Sequence, residues 1–258
     1  MPRNRVGFPR FCQPLFSYVY SDMLSELFHK FGVPFFLSVV HDPNLCISWS
    51  QFGEDTLILE LISRNKSNLF SNYYVDIGAY HPSRFSNTKL LSMMGWKGMN
   101  VDPNPQSVKL FEQERPQDIN LNLGVASYEG ESEIYCFREG AINTFNGEMA
   151  EYFIRHGWEF MGKQKVKVLP LNQLLDTYLP DEIKDSEIGF LDIDCEGLDK
   201  DIILNLDIDR YRPYIIAVEA HDFNLMHPLA HEIVQFLIAA DYQLAAYTGP
   251  TLLFRRST

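Results

Sequence analysis

The stretch Tyr73-Tyr74-Val75-Asp76-Ile77-Gly78-Ala79-Tyr80-His81-Pro82 constrains this chain more than any other. Its first half is short, apolar and β-branched and stops at a glycine, the pattern of a buried strand entering a turn. Beyond the glycine, Ser86-Asn87-Thr88 offers helix caps and Lys89 to Met94 a helix start. Strand, glycine turn and helix form the first unit of a nucleotide-type α/β fold, in which ligands sit at the carboxyl ends of the strands. A second strand, Gly98-Met99-Asn100-Val101, ends in Asp102, a carboxylate placed to receive the two hydroxyls of a ribose.

The turn itself narrows the choice of ligand. A dinucleotide site needs several glycines, so that backbone can approach a pyrophosphate at a helix N-terminus. Here one glycine precedes Ala79, Tyr80, His81, Pro82 and Ser83, and neither G-x-G-x-x-G nor G-x-x-x-x-G-K-[ST] occurs. A ribose-bearing cofactor without phosphate is expected, and S-adenosylmethionine meets that condition. Asp76 then faces its cationic methionine end and Asp102 its ribose, with Gly78, Ala79, Tyr80 and Pro103 in the turns that carry them. The plainer alternative is a generic βα turn with chance acids.

The chain has 258 residues, 46% of them hydrophobic, enough for one full α/β domain with additions. Its net charge of −12, with no block of Lys and Arg, argues against nucleic acid or an anionic membrane as main partner. Cys12, Cys46, Cys136 and Cys195 lie far apart and form no C-x-x-C pair, which suits a reducing cytoplasm. No run is long and apolar enough to span a bilayer; the nearest, Phe31 to Val40, is short and contains Pro34. Arg3, Arg5 and Arg10 are not followed by the apolar core and cleavage site of a signal peptide.

Residues 1–47 are rich in aromatics, and Leu24, Leu27, Phe28 and Phe31 repeat at helical spacing. They read as a helical extension: a lid, a contact between subunits of a homo-oligomer, or a helix on the domain's own core. The main domain runs over 48–258. It opens with Ser48-Trp49-Ser50-Gln51-Phe52-Gly53-Glu54-Asp55 before a helical face of Leu57, Ile58, Leu61 and Ile62. Ser48 with Gln51 fits a capping box, and Glu54 and Asp55 suit the first turn of a helix. The functional alternative puts Gln51 and Glu54 over the cofactor.

Ile119 to Leu123 reads as a third strand, and Gly124-Val125 as a place where small and apolar groups hold a flat adenine. Glu133 to Phe137 alternates as a further strand. Residues 138–163 read as irregular or briefly helical, and 138–170 as a substrate-side insertion. Lys165 to Leu169 is a strand and Leu171 to Tyr178 a helix. Glu187 to Gly197 holds a strand ending in Asp192, Asp194 and Glu196, and Pro213 to His221 another ending in Glu219 and His221. Pro228 to Ala240 reads as a helix. His227 and His231 stand four apart, but Pro228 suits the first helical position and leaves His227 off the helix face. Tyr242 to Tyr247 and Thr251 to Arg255 flank a Thr248-Gly249-Pro250 turn too short to join parallel strands. The fold expected is therefore a Rossmann-like α/β sheet of the class I methyltransferase type, mostly parallel with an antiparallel last strand.

Five motifs carry a resemblance. Ser50-Gln51-Phe52-Gly53-Glu54-Asp55, Val75-Asp76-Ile77-Gly78-Ala79, Ser86-Asn87-Thr88, Asn100-Val101-Asp102-Pro103-Asn104-Pro105 and Asp192-Ile193-Asp194-Cys195-Glu196-Gly197 together resemble the FkbM family of S-adenosylmethionine-dependent methyltransferases. The resemblance runs from about residue 48 to 255 and leaves out the aromatic extension. Many relatives carry lysine where this chain has Asp192. The resemblance implies O-methylation of a sugar or natural-product hydroxyl, so a small-molecule or glycan acceptor. It also implies Ser86 and Asn87 near the cofactor and, as in some relatives, Mg²⁺ held by Asp192 or Asp194 and by Glu219, with His221 beside it.

Methyl transfer to an alcohol needs alignment of oxygen, carbon and sulfur and removal of a proton. Asp194, Glu196, Glu219 and His221 gather where that help is needed, hard oxygen ligands suit Mg²⁺, and His221 or His81 is a natural base. Structural alternatives stand beside these roles: Glu196 as a helix cap, Asp192 bonded to a loop. Two rivals follow: a retired methyltransferase fold serving as a binding subunit, and a nicotinamide-dependent dehydrogenase.

Overall fold

The computed structural model describes residues 46–64, 70–184 and 187–257. The expected helical extension lies outside the described residues except for positions 46 and 47.

A seven-stranded sheet forms the centre, with strands β1 (Tyr73–Ile77), β2 (Lys97–Val101), β3 (Ile119–Leu121), β7 (Phe190–Ile193), β8 (Ile215–Glu219), β9 (Tyr242–Thr248) and β10 (Thr251–Arg256). Its order is β3-β2-β1-β7-β8-β10-β9. The first five in that row run parallel, and β10 slots between β8 and β9 antiparallel to both. The closing hairpin thus sits where its short turn requires. A second sheet, β4 (Gly124–Val125), β6 (Phe160–Leu169) and β5 (Gly130–Phe137), stands beside it.

All five residues of β1 are buried, as expected of a parallel strand covered on both faces. Side-chain alternation divides them. Tyr73, Val75 and Ile77 join Leu191, Ile193, Ile216 and Val218 against Leu174 and Leu175 of α5 (Leu171–Tyr178), Ile203 of α7 (Asp199–Leu204) and Leu237 of α9 (Glu232–Ala239). Tyr74 joins Phe190, Ile215, Ala217 and Leu253 against Ile58 and Leu61 of α1 (Glu54–Ser63), Leu91 of α2 (Lys89–Met93) and Trp96. Asp76 and Asp192 follow Tyr74 and Phe190 on this second face, and they are direct neighbours across β1 and β7.

Several local expectations need correction. Helix α1 has no capping box. Its N-cap is Gly53, at φ 89°, and Ser48 instead donates to Asp55 Oδ1 at 2.6 Å. Asp55 also accepts from the Ser50 hydroxyl and from the Trp49 and Thr56 N–H groups, so one buried carboxylate organises the whole segment. Thr88 is the N-cap of α2 but makes no capping bond, because its hydroxyl is turned to Asp76. The third strand stops at Leu121, and Gly124-Val125 crosses into the second sheet by pairing with Val168-Leu169. Residues 138–163 are more ordered than expected: a 3₁₀ turn (Gly140–Ile142), α4 (Gly147–Arg155) capped by Asn146, and the start of β6. Pro228 to Ala240 is a 3₁₀ turn (Pro228–Ala230) followed by α9, with His231 as the helix cap.

The remaining helices are α3 (Pro105–Glu114), α6 (Asp181–Lys184) and α8 (Ile208–Tyr211). In α3, Asn104 accepts from Gln106 N–H and Pro105 sits in the first turn. No helix of the described residues is long and apolar enough to cross a membrane.

Candidate active site

A cleft of about 930 Å³, counting its solvent-open mouth, lies at the carboxyl ends of β1, β2, β7 and β8. Among the described residues its lining holds six carboxylates (Asp76, Asp102, Asp192, Asp194, Glu196 and Glu219) and no Lys, Arg or His. Such a cleft attracts a cation and repels phosphate. Leu123, Val125, Ile134 and Phe145 give one side of it an apolar wall.

The bottom is set by a close approach between strand ends. Gly78 follows β1 at φ 84°, and a Cβ there would lie 1.7 Å from the Asp194 carbonyl oxygen. Only glycine fits both the dihedral and the space. Gly78 and Ala79 donate their N–H groups to Val101 O, and Asp194 donates its own to Ile77 O. The ends of β2, β1 and β7 are thereby locked together.

Asp102 accepts from Tyr80 N–H at 2.9 Å and from Asn104 N–H at 2.7 Å. Burial pushes its carboxyl up to about 6 against those bonds. Asp76 accepts from the Thr88 hydroxyl at 2.6 Å, and burial raises it to about 6 as well. Asp192 accepts from Asn87 Nδ2 at 3.3 Å; burial, then the neighbouring Asp76, holds it well above the usual carboxylate range.

At the ends of β7 and β8 the acids crowd further. Glu196 stands at φ 47°, and Asp199 accepts from Cys195 N–H and Gly197 N–H, turning the chain so that Asp194 and Glu196 both face the cleft. Burial, then Glu219 and Asp199, raises Glu196 to about 8. His221 Nε2 lies 3.2 Å from Glu219 Oε2, and that contact raises the histidine to about 9. No other donor reaches that oxygen among the described residues. Glu196, Glu219 and His221 bring donor atoms within 4.8 Å of one another, and so do Asp194, Asp199 and Glu219.

The rim joins two parts of the chain. Tyr80, at φ 50°, donates its hydroxyl to Glu139 at 2.8 Å, and Arg84 grips both oxygens of Glu139 at 2.9 and 2.8 Å. Glu139 leads into the 3₁₀ turn whose Gly140 and Ala141 line the cleft, followed by Asn143 and Phe145. The Thr144 hydroxyl donates to Glu196 O at 2.6 Å and ties this wall to the acid cluster.

Of the residues singled out from sequence, Gln51, Asp76, Gly78, Ala79, Tyr80, Ser86, Asn87, Asp102, Pro103, Gly124, Val125, Asp192, Asp194, Glu196 and Glu219 line this one cleft. Three do not. Glu54 is buried and accepts from Phe52 N–H. His81 accepts from the Ser83 and Arg84 N–H groups through Nδ1 and serves its own turn. His221 is exposed behind Glu219. Sequence reasoning missed Phe85, Leu123, Ile134, Asn143, Phe145 and Cys195; except for Cys195, inside a marked motif, they stand in loops or on strands with no chemical signal of their own.

A parallel sheet closed by an inserted antiparallel strand, with a carboxylate-lined cleft at its switch point, defines a Rossmann-like methyltransferase fold. A family model described as the methyltransferase FkbM domain matches residues 76–244, about two thirds of the chain. The chain belongs to the FkbM methyltransferase family. No curated protein and no solved structure matches it.

Proposed function

We propose that the protein transfers the methyl group of S-adenosylmethionine to a hydroxyl of a sugar or natural product. The observation that carries this reading is a cleft that the described residues line with six carboxylates and no cation, at the strand ends of a methyltransferase fold. The sulfonium and ammonium of S-adenosylmethionine suit that field. Asp102, beyond β2, keeps lone pairs for ribose hydroxyls while its backbone partners fix its direction. Leu123, Val125 and Phe145 supply an apolar slot for adenine. When bound, the cofactor supplies the electrophilic methyl carbon and the leaving thioether.

The chain's own part is alignment and proton removal. Glu196 is the base we assign: it lines the cleft, and a carboxyl raised to about 8 is better matched to an alcohol proton than an ordinary carboxylate. His221, held protonated by Glu219, gives that neighbourhood a positive charge and not a second base. The residues present also suit a hard divalent cation: Glu219 with Asp194 and Asp199 would hold Mg²⁺, which would acidify an acceptor hydroxyl, whereas a protonated His221 has no lone pair to offer it. We assign Gly140, Ala141 and Asn143 of the rim, which line the cleft beside Phe145, to the acceptor side.

Titration calorimetry with S-adenosylmethionine and S-adenosylhomocysteine tests the cofactor, and label transfer from methyl-labelled cofactor to neutral sugars and polyketide alcohols tests the acceptor. No heat with either cofactor form removes the reading. A product labelled on nitrogen or carbon corrects the acceptor class.

A further inference from the structure

We infer that Arg115 is a positioning residue, which holds the Asp76 carboxylate and the 82–88 turn in the geometry that receives the cofactor; this rests on the cofactor reading above.

Arg115 stands at the C-terminal end of α3 and is 2% exposed. A buried guanidinium is costly unless its donors are met, and both Nη groups find partners while Nε finds none among the described residues. Here Nη1 donates to the Tyr74 hydroxyl at 3.1 Å and to Thr88 Oγ1 at 2.9 Å. Nη2 donates to Pro82 O and, at 3.1 Å, to Ser86 Oγ. One side chain thus holds both ends of the turn that contributes Phe85, Ser86 and Asn87 to the cleft.

The direction of the bonds matters more than their number. Thr88 has a single hydroxyl proton, and it goes to Asp76 Oδ2 at 2.6 Å, while Arg115 donates to the oxygen of the same hydroxyl. The order is cation, hydroxyl, carboxylate, each donating to the next, which strengthens both bonds. Tyr74 carries a second branch, donating to Asp118, which also accepts from Gly98 N–H. Arg115 therefore reaches two buried carboxylates through hydroxyls and leaves the cleft face of Asp76 without a cation to compete with a ligand.

Two hydroxyl variants separate positioning from packing. Thr88→Val keeps the shape of the side chain and removes the relay; Thr88→Ser keeps the relay and removes a methyl group. By calorimetry with S-adenosylhomocysteine, Thr88→Val is expected to bind about tenfold more weakly than the unmodified protein. Thr88→Ser should bind within about threefold, and Arg115→Gln should be at least as weak as Thr88→Val, with circular dichroism recording that each variant folds. Thr88→Val binding as tightly as the unmodified protein overturns the inference, whether or not Arg115→Gln folds. Equal losses in Thr88→Val and Thr88→Ser overturn it too, because they assign the effect to packing. Failure of the unmodified protein to bind removes the cofactor reading itself, and this inference with it.

Discussion

The backbone oxygen of Asp194 occupies the space that a side chain on Gly78 would need, at 1.7 Å from the Cβ position. The tip of β1 can therefore approach the tip of β7 only because residue 78 has no side chain. Gly78→Ala adds a carbon at a φ of 84° and against main chain, where nothing flexible can give way. We expect a loss of about 3 kcal/mol or more in stability, read by denaturant unfolding, and no measurable cofactor binding.

Asp102→Asn should weaken cofactor binding about tenfold with a modest loss of stability, measured by calorimetry and thermal unfolding. Asp102→Ala is the poorer test, since it strips partners from Tyr80 N–H and Asn104 N–H and weakens the turn as well. Unchanged affinity in Asp102→Asn removes the ribose assignment.

Glu196→Gln separates activity from stability. Burial raises the Glu196 carboxyl from its ordinary 4.5 to about 8, so the folded state holds its proton where the unfolded state does not. The stability favoured by that proton is full below pH ~4.5 and is lost as pH rises through about 8. Removing the charge should thus raise the melting temperature of the ligand-free protein by several degrees or more at pH 8.5 and change it far less at pH 5. If Glu196 is the base, the rate of the unmodified enzyme climbs with pH to a plateau above about 8, and Glu196→Gln is inactive at every pH.

Asp194→Asn and Glu219→Gln should each lower methyl transfer at least 100-fold while keeping cofactor bound, as checked by label transfer and calorimetry. Activity surviving both changes makes these acids structural. Treatment with EDTA divides the remaining possibilities: lost activity restored by Mg²⁺ points to a metal on Glu219, and unchanged activity points to the carboxylates alone.

The Arg84–Glu139 pair spans the rim and is partly exposed, so its contribution to stability is at most about 1 kcal/mol. Its effect should show in kinetics. Glu139→Gln is expected to speed cofactor release severalfold in stopped-flow, and added salt should do the same to the unmodified protein. Equal release rates place the closing contact elsewhere.

The central sheet was legible because buried parallel strands write themselves as unbroken apolar runs. The acids at 76, 102, 192, 194 and 219 break those runs at their ends. The cleft followed from the rule that such ends converge. The segment 48–56 was misread because Asp55 collects bonds from residues on both sides of it, which a pattern of caps spaced along one helix cannot express. His81 looked like a base by residue type alone, yet its ring serves backbone groups three residues away or less. Arg115 gave no warning: a polar residue after a helix and before a proline reads as surface, and its burial arises from the turn folded over it. The stretch 138–170 is expected on the substrate side, but sequence gives no reason why Gly140, Ala141, Asn143 and Phe145 in it should line the cleft, a placement that depends on Gly124-Val125 crossing to pair with β6.

Those two residues, Gly124-Val125, pair with Val168-Leu169 and return the excursion to the point from which it left. An interchangeable cassette has that anatomy: entry and exit lie side by side, and what lies between them can be rewritten without moving either seam. The interval reaches the cleft through Ile134, Gly140, Ala141, Asn143 and Phe145, so rewriting it would reshape one wall of the site while the strand ends that carry the acids stay where they are.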